Sequence, residues 1–279
     1  MIRILATLVL ACLAPLAALS QGLPLRFGLF PNLSAPVLLD AHQPLADHLS
    51  HALKRPVYLE TAPDFASFVT RTRQGRYDLL LTAPHLAYLA VTESGYVPLY
   101  AYAKPVQGML VVRKQAAFQT LADLKGKTIA MADRLAIVVM MMEAELGRAG
   151  LLEGRDFARL EAGSHNNAAL LVVEGKAQGA VLGALPFQRL PAEVKQNLRP
   201  LAYTRPALSQ VYLANAKLSA VEVKELKMAL GRFGETAAGR EFFRRGGMGG
   251  LVPVSSVALQ ALDPYAREAT RRLGSLSEP

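Results

Sequence analysis

Between Leu121 and Leu182 the chain twice runs from a short helical stretch through a glycine stop into an apolar strand. The first copy includes Ala122-Asp-Leu-Lys-Gly-Lys-Thr-Ile-Ala130. The second runs from Ala162-Gly-Ser-His-Asn-Asn-Ala168 into Val172-Val-Glu-Gly-Lys-Ala-Gln-Gly-Ala-Val-Leu182. Both read as pieces of a parallel sheet covered by helices. Where such a strand runs into a helix, the first free N–H groups point into a crevice that favours anions and holds small molecules.

The same grammar governs the first part of the chain. Leu25–Phe30 is expected as a strand ending at Pro31. Leu38, Leu45, Leu49 and Leu53 recur on one face, predicting an amphipathic helix over 37–54. Pro56–Glu60 reads as a second strand and Phe65–Gln74 as a helix stopped by Gly75. Tyr77–Thr82 reads as a third strand, with Pro84 at the first turn of the next helix. This βαβαβα order implies a parallel sheet with helices on both faces.

Ala101-Tyr-Ala-Lys-Pro105 and Ala202-Tyr-Thr-Arg-Pro206 share one pattern and bracket a second αβ region, after which a mainly helical stretch runs from Ser219. We expect an α/β fold of two lobes with two crossings, able to close like a hinge on a ligand. Residues 21–103 and 206–279 would form lobe 1, and 104–205 lobe 2.

Residues 1–20 carry Arg3 as their one charge, an apolar run Ile4–Leu19 broken by Pro15, and small residues at Ala18-Leu-Ser20. They read as a secretory signal peptide cleaved after Ser20, too short for a membrane anchor. Val9-Leu-Ala-Cys12 is a loose lipid-attachment box with only eleven residues before the cysteine. Cleavage would leave no cysteine, which suits the periplasm better than a disulfide-stapled secreted domain. The net charge of +9 would fall by one, since only Arg3 is lost. That excess favours anionic partners or serves solubility alone. No tryptophan and no basic run interleaved with aromatics is present, which argues against nucleic acid.

Several motifs fail on inspection. Gly126-Lys-Thr128 lacks the glycine that a phosphate loop needs at position 121, where Leu stands. His48 and His51 share a helix face without a carboxylate or cysteine to complete a metal set. No nucleophile elbow or cysteine–histidine arrangement is visible, so neither an enzyme nor a cofactor is expected. Two polar clusters remain. Gly163-Ser-His-Asn-Asn167 precedes an apolar helix predicted over 168–174, which Ser164 or Asn166 can cap while His165 points into the crevice. Arg134, after Asp133 and before a helix predicted over 135–146, offers a donor fork for an anion, or pairs with Asp133 or Glu143. The run Val138–Met142 reads as helix core.

Phe27-Gly-Leu-Phe-Pro31, Pro44-Leu-Ala-Asp-His-Leu49, Asp64-Phe65, Gly75-Arg-Tyr-Asp78 and Ala83-Pro84 occur in order ahead of Leu121–Lys127, Gly163-Ser-His165 and Gly247–Pro253. In these motifs the chain resembles the phosphonate/phosphate/phosphite substrate-binding proteins of bacterial ABC transporters. The resemblance implies a two-lobed type II periplasmic-binding fold, each lobe a mostly parallel sheet flanked by helices, closing on an anion. It implies ligand roles for His165, for Phe65 at a position usually aromatic, and for Thr82. It also implies a hydroxyl-rich turn after Asp133, but this chain reads Arg134-Leu-Ala-Ile-Val138 there. Either Arg134 compensates or the ligand is less charged and partly apolar. The expected ligand contacts are His165, Ser164, Asn166, Arg134, Thr82 and Phe65, with Asn32 and Ser34 after the first strand. The expected protein is a monomeric periplasmic solute-binding protein that hands a small anionic ligand to an ABC permease. The alternative is a ligand-sensing module acting on a membrane sensor kinase.

Overall fold

The computed structural model describes residues 23–275; the expected signal peptide and Cys12 lie outside them. In chain order the elements begin with β1 (Leu25–Leu29), α1 (Ala35–Leu53), β2 (Val57–Glu60), α2 (Phe65–Arg73), β3 (Leu79–Thr82), α3 (Pro84–Ser94) and β4 (Val97–Tyr102). There follow β5 (Gly108–Arg113), β6 (Lys127–Met131), α4 (Ile137–Arg148), β7 (Phe157–Glu161), α5 (His165–Val173) and β8 (Gly179–Gly183). Two short helices, α6 (Ala184–Gln188) and α7 (Ala192–Lys195), lead to β9 (Leu198–Tyr203) and β10 (Val211–Ala214). The chain ends in α8 (Ala220–Phe233), α9 (Ala237–Gly246), β11 (Leu251–Pro253), α10 (Ser256–Gln260) and α11 (Asp263–Ser275).

Two sheets result, with strand orders β11-β4-β10-β3-β1-β2 and β7-β6-β8-β5-β9. They are mixed rather than mostly parallel. β1, β2 and β3 pair parallel, as do β6, β7 and β8, because a helix returns the chain between them. β4, β10 and β11, and β5 and β9, are antiparallel to their neighbours. β11 interrupts the return stretch that the sequence marked as mainly helical, and it caps the edge of the first sheet.

The two repeated motifs lie where the chain passes between sheets. Val106 and Ala207 form an antiparallel bridge, their N–H groups donating to each other's carbonyls at 3.0 and 2.9 Å. The crossings are therefore one short two-stranded strip. Thr204 reinforces it by accepting from the Gly108 N–H at 2.9 Å, and Gln107 donates to the Thr204 carbonyl.

Local chemistry sets the helix ends. α1 buries Leu38, His42, Leu45, Ala46 and Leu49 and is closed by Lys54 in the left-handed region at φ 51°. α4 starts at Ile137, two residues later than the sequence suggested. The Asp133 carboxylate accepts from the Leu135 N–H and its carbonyl accepts from the Ala136 N–H, so 133–136 is held as a turn. α5 starts three residues earlier than expected, because Ser164 caps it by accepting from the Asn167 N–H at 3.2 Å.

The apolar helix α4 has two buried faces. Val139, Met142 and Leu146 pack on the second sheet with Leu110, Ile129 and Val181. Ile137, Val138, Met140 and Met141 join Leu135 in a cluster with Leu86, Leu262, Ala266 and Ala269 of the first lobe. The run Val138–Met142 is thus half lobe core and half interlobe seam.

Gly28, in β1 of the first sheet, faces the ring of Tyr77; a Cβ there would lie 2.4 Å from Cγ. Gly28→Ala is expected to lower stability by about 1–3 kcal/mol through overpacking, read as a lower urea midpoint with an unchanged slope.

Candidate functional site

The carboxyl ends of parallel strands are where α/β sheets hold ligands, and here those ends meet across the seam. β3 runs into α3, whose second residue is His85; β6 runs into the turn 133–136. The fully buried His85 donates from Nε2 to the Leu135 carbonyl at 3.0 Å. That bond fixes the tautomer and leaves Nδ1 a bare acceptor, buried without a hydrogen-bond partner among the described residues. Burial pushes the His85 pKa down to about 4, against the opposing pull of the Leu135 carbonyl.

Leu135 itself is 2% exposed and belongs to the cluster that spans both lobes. Phe30 and Phe65 supply an aromatic wall to that cluster, their centroids 4.3 Å apart. A side chain of this size is worth about 1.5–3 kcal/mol when taken fully out of water. Parting the lobes would therefore cost several kcal/mol unless other contacts replaced those lost.

A ladder of alternating charges borders the seam. Arg134 binds Glu153 at 2.6 Å and Glu161 at 3.0 Å; Arg159 binds Glu161 at 2.7 Å and Glu143 at 2.9 Å. Arg272 of α11 reaches from the first lobe to Glu143 at 2.6 Å and also donates to the Arg134 carbonyl. A groove of about 790 Å³ opens beside this ladder, with Asp133, Arg134, Leu135, Glu161 and Arg272 among its lining. At a separate contact, Arg189 at the end of α6 donates to the Arg245 and Gly246 carbonyls, the last of α9, at 3.2 and 2.5 Å.

The residues singled out from the sequence fall into three groups. Phe65 and His165 hold equivalent places: each opens a nine-residue helix, one per lobe, behind a capping Asp64 or Ser164, with an offset of 100 positions. His165 is half-buried as a residue with its ring enclosed; its Nδ1 has no hydrogen-bond partner among the described residues, and burial lowers its pKa, opposed by the Val181 carbonyl. Asn166 is exposed beside it, and Ser164 rather than Asn166 makes the cap.

Thr82 is buried at the end of β3, its hydroxyl without a hydrogen-bond partner among the described residues, against a cavity of about 10 Å³ shared with Phe68 and Leu86. Asn32 and Ser34 are exposed in the β1–α1 connection, apart from the seam cluster. The Arg134 guanidinium lines the groove and pairs with Glu153 and Glu161 rather than with Asp133 or Glu143, as the ion-pair reading had it.

Sequence reasoning missed His85, Leu135, Phe30 and Arg272 as cleft residues. Only His85 carried a signal, its place just after Pro84 at a strand-to-helix junction. The pairing of Arg272 with Glu143 joins positions 129 apart.

A family model described as ABC transporter, phosphonate, periplasmic substrate-binding protein matches residues 27–258, and the chain belongs to that family. Its members are substrate-binding transport proteins. Among solved structures, PhnD1 from Prochlorococcus marinus, in complex with methylphosphonate, is 18% identical with a TM-score of 0.77, over 89% of this chain and 98% of that one. The alkanesulfonate-binding protein SsuA from Xanthomonas axonopodis pv. citri, bound to MOPS, is 19% identical with a TM-score of 0.58, over 91% and 95%. A histidine kinase sensor domain with similarity to periplasmic binding proteins is 16% identical with a TM-score of 0.56, over 84% and 99%. These likenesses establish the two-lobed type II periplasmic-binding fold.

Two outcomes test the electrostatics. Arg159, 2% exposed, is the buried hub of the ladder. Arg159→Met should cost about 3 kcal/mol in chemical denaturation, because Glu143 would be left partly buried with less compensation. His85 remains neutral in the fold down to about pH 4, whereas the unfolded chain takes up that proton near 6.5. The unfolded state therefore binds more protons in that window, and stability falls as the pH drops through it. Between pH 7.5 and 5 His85 should account for a loss of about 2 kcal/mol, and His85→Asn should flatten that part of the stability profile.

Proposed function

We propose that this chain is a periplasmic solute-binding protein of an ABC importer, holding a small organic oxyanion between its lobes and presenting it to the membrane permease. In this reading residues 1–20 direct export and are removed. Residues 21–103 with 206–279, and 104–205, form the two lobes. The mature protein is a monomer that works without a cofactor, without nucleic acid and without catalysis. The observation that carries the reading is the meeting of β3 and β6 at their carboxyl ends, through His85 and Leu135, across a seam joined by paired crossings.

The ligand class follows from the walls. Phe30, Phe65, Leu135 and Ile137 offer apolar surface, and the turn after Asp133 has no hydroxyl for an inorganic oxyanion. The α5 N-terminus, with Ser164, His165 and Asn166, favours negative charge. A phosphonate or sulfonate with an apolar substituent satisfies both. PhnD1 in complex with methylphosphonate and SsuA bound to MOPS hold ligands of these classes.

A sensing role is the second reading, favoured by the altered turn after Asp133, which has no hydroxyl. Permease and ATPase genes beside this one would support transport, and a kinase gene would support sensing.

Thermal-shift measurements against alkylphosphonates, alkanesulfonates, phosphate and carboxylates test the site. A cognate ligand at 100 times its dissociation constant should stabilise the protein by about 2.7 kcal/mol. His165→Ala should reduce that gain, whereas Asn32→Ala should not. No stabilisation by any organic oxyanion, or gains untouched by His165→Ala, would refute the assignment.

A further inference from the structure

The opening of α5 offers donors and an acceptor side by side. Ser164 takes two N–H groups of the first turn, accepting from Asn167 through its hydroxyl at 3.2 Å and from Ala168 through its carbonyl at 3.0 Å. The N–H groups of His165 and Asn166 have no acceptor inside the helix and remain as donors. The acceptor is Nδ1 of His165, enclosed and without a hydrogen-bond partner among the described residues.

Burial leaves the His165 imidazole neutral at neutral pH, and a neutral imidazole carries one N–H. The Val181 carbonyl beside the ring is the acceptor for that N–H, which places the proton on Nε2 and a lone pair on Nδ1. The elements that chiefly pack on α5 are β5, β6, β8, α6 and α7, and none brings a charged group to bear on the ring. An enclosed lone pair is satisfied only by a donor, so a solute seated here must bring a proton as well as a negative charge. The turn after Asp133 agrees with this: without hydroxyls it offers no side-chain donors to a doubly charged oxyanion.

We propose that His165 selects the protonated form of the solute, a singly charged phosphonate. Its P–OH donates to Nδ1, and its other oxygens accept from the His165 and Asn166 N–H groups. This rests on the solute-binding reading and narrows it. A sulfonate of the same shape has no proton to give, and one of its oxygens would face the Nδ1 lone pair. A phosphonate that loses its second proton, as alkylphosphonates do near neutral pH, meets the same repulsion.

Isothermal titration calorimetry of the purified protein with propylphosphonate and propane-1-sulfonate tests this. Near pH 6 the phosphonate should bind at least about ten times more tightly, the worth of one hydrogen bond at an enclosed acceptor. Its affinity should fall by about that factor as the pH rises to about 9, while any sulfonate affinity stays flat. In His165→Gln an amide that can turn its NH2 toward the ligand replaces the fixed acceptor, so the preference and the pH dependence should both shrink. A sulfonate bound as tightly as the phosphonate, or a phosphonate affinity that holds or rises with pH, overturns the proposal and leaves the solute reading standing. A folded His165→Gln variant that keeps the wild-type preference overturns the role of His165. If that variant does not fold, the wild-type pair and its pH profile decide. If neither probe binds at any pH, the solute reading fails and the proposal fails with it.

Discussion

Helix α4 has no solvent-facing side over its first six residues: Ile137 to Met142 are all buried. One face completes the core of the second sheet, and the other is covered by α3, α10 and α11 of the first lobe. A helix that is apolar all round must be enclosed, and contact between the lobes encloses it here. The paired crossings at Val106 and Ala207 put the lobes within reach of each other, and the seam on α4 makes their contact favourable.

Charge is arranged around this apolar seam rather than inside it. Glu153, Arg134, Glu161, Arg159, Glu143 and Arg272 alternate in sign along one edge, so each of the four inner groups finds two partners. Individual exposed pairs contribute little. Arg159 differs because it is buried and donates also to the Ala132 carbonyl, which ties the ladder to the end of β6. The turn that presents Leu135 is consequently braced from below by Arg159 and from the other lobe by Arg272. The arginine that follows Asp133 is part of this brace through Glu153 and Glu161.

Much of the architecture was legible in the chain because it is written in local periodicities. Leu38, Leu45 and Leu49 mark the buried face of α1, and Gly75 and Gly175 stop α2 and α5 at positive φ, where a side chain is disfavoured. The repeated Ala-Tyr-x-basic-Pro motifs mark the passage between sheets. Local rules misplaced the starts of α4 and α5, where the Asp133 turn and the Ser164 cap outweighed the apolar pattern. Of the site, the chain showed the polar opening of α5 and the aromatic at Phe65, since both sit at strand-to-helix junctions with recognisable caps.

By itself the sequence determined two αβ lobes, their double crossing and the loss of hydroxyls after Asp133, because each is a property of neighbours along the chain. Only the tertiary structure decided what stands in the cleft. Leu135 and His85 are 50 positions apart, and Glu143 and Arg272 are 129 apart. No periodicity links residues at such separations. The direction in which Leu135, Arg134 and Arg272 turn is set by competition between burial and pairing in three dimensions, and that competition exists only once both lobes are folded.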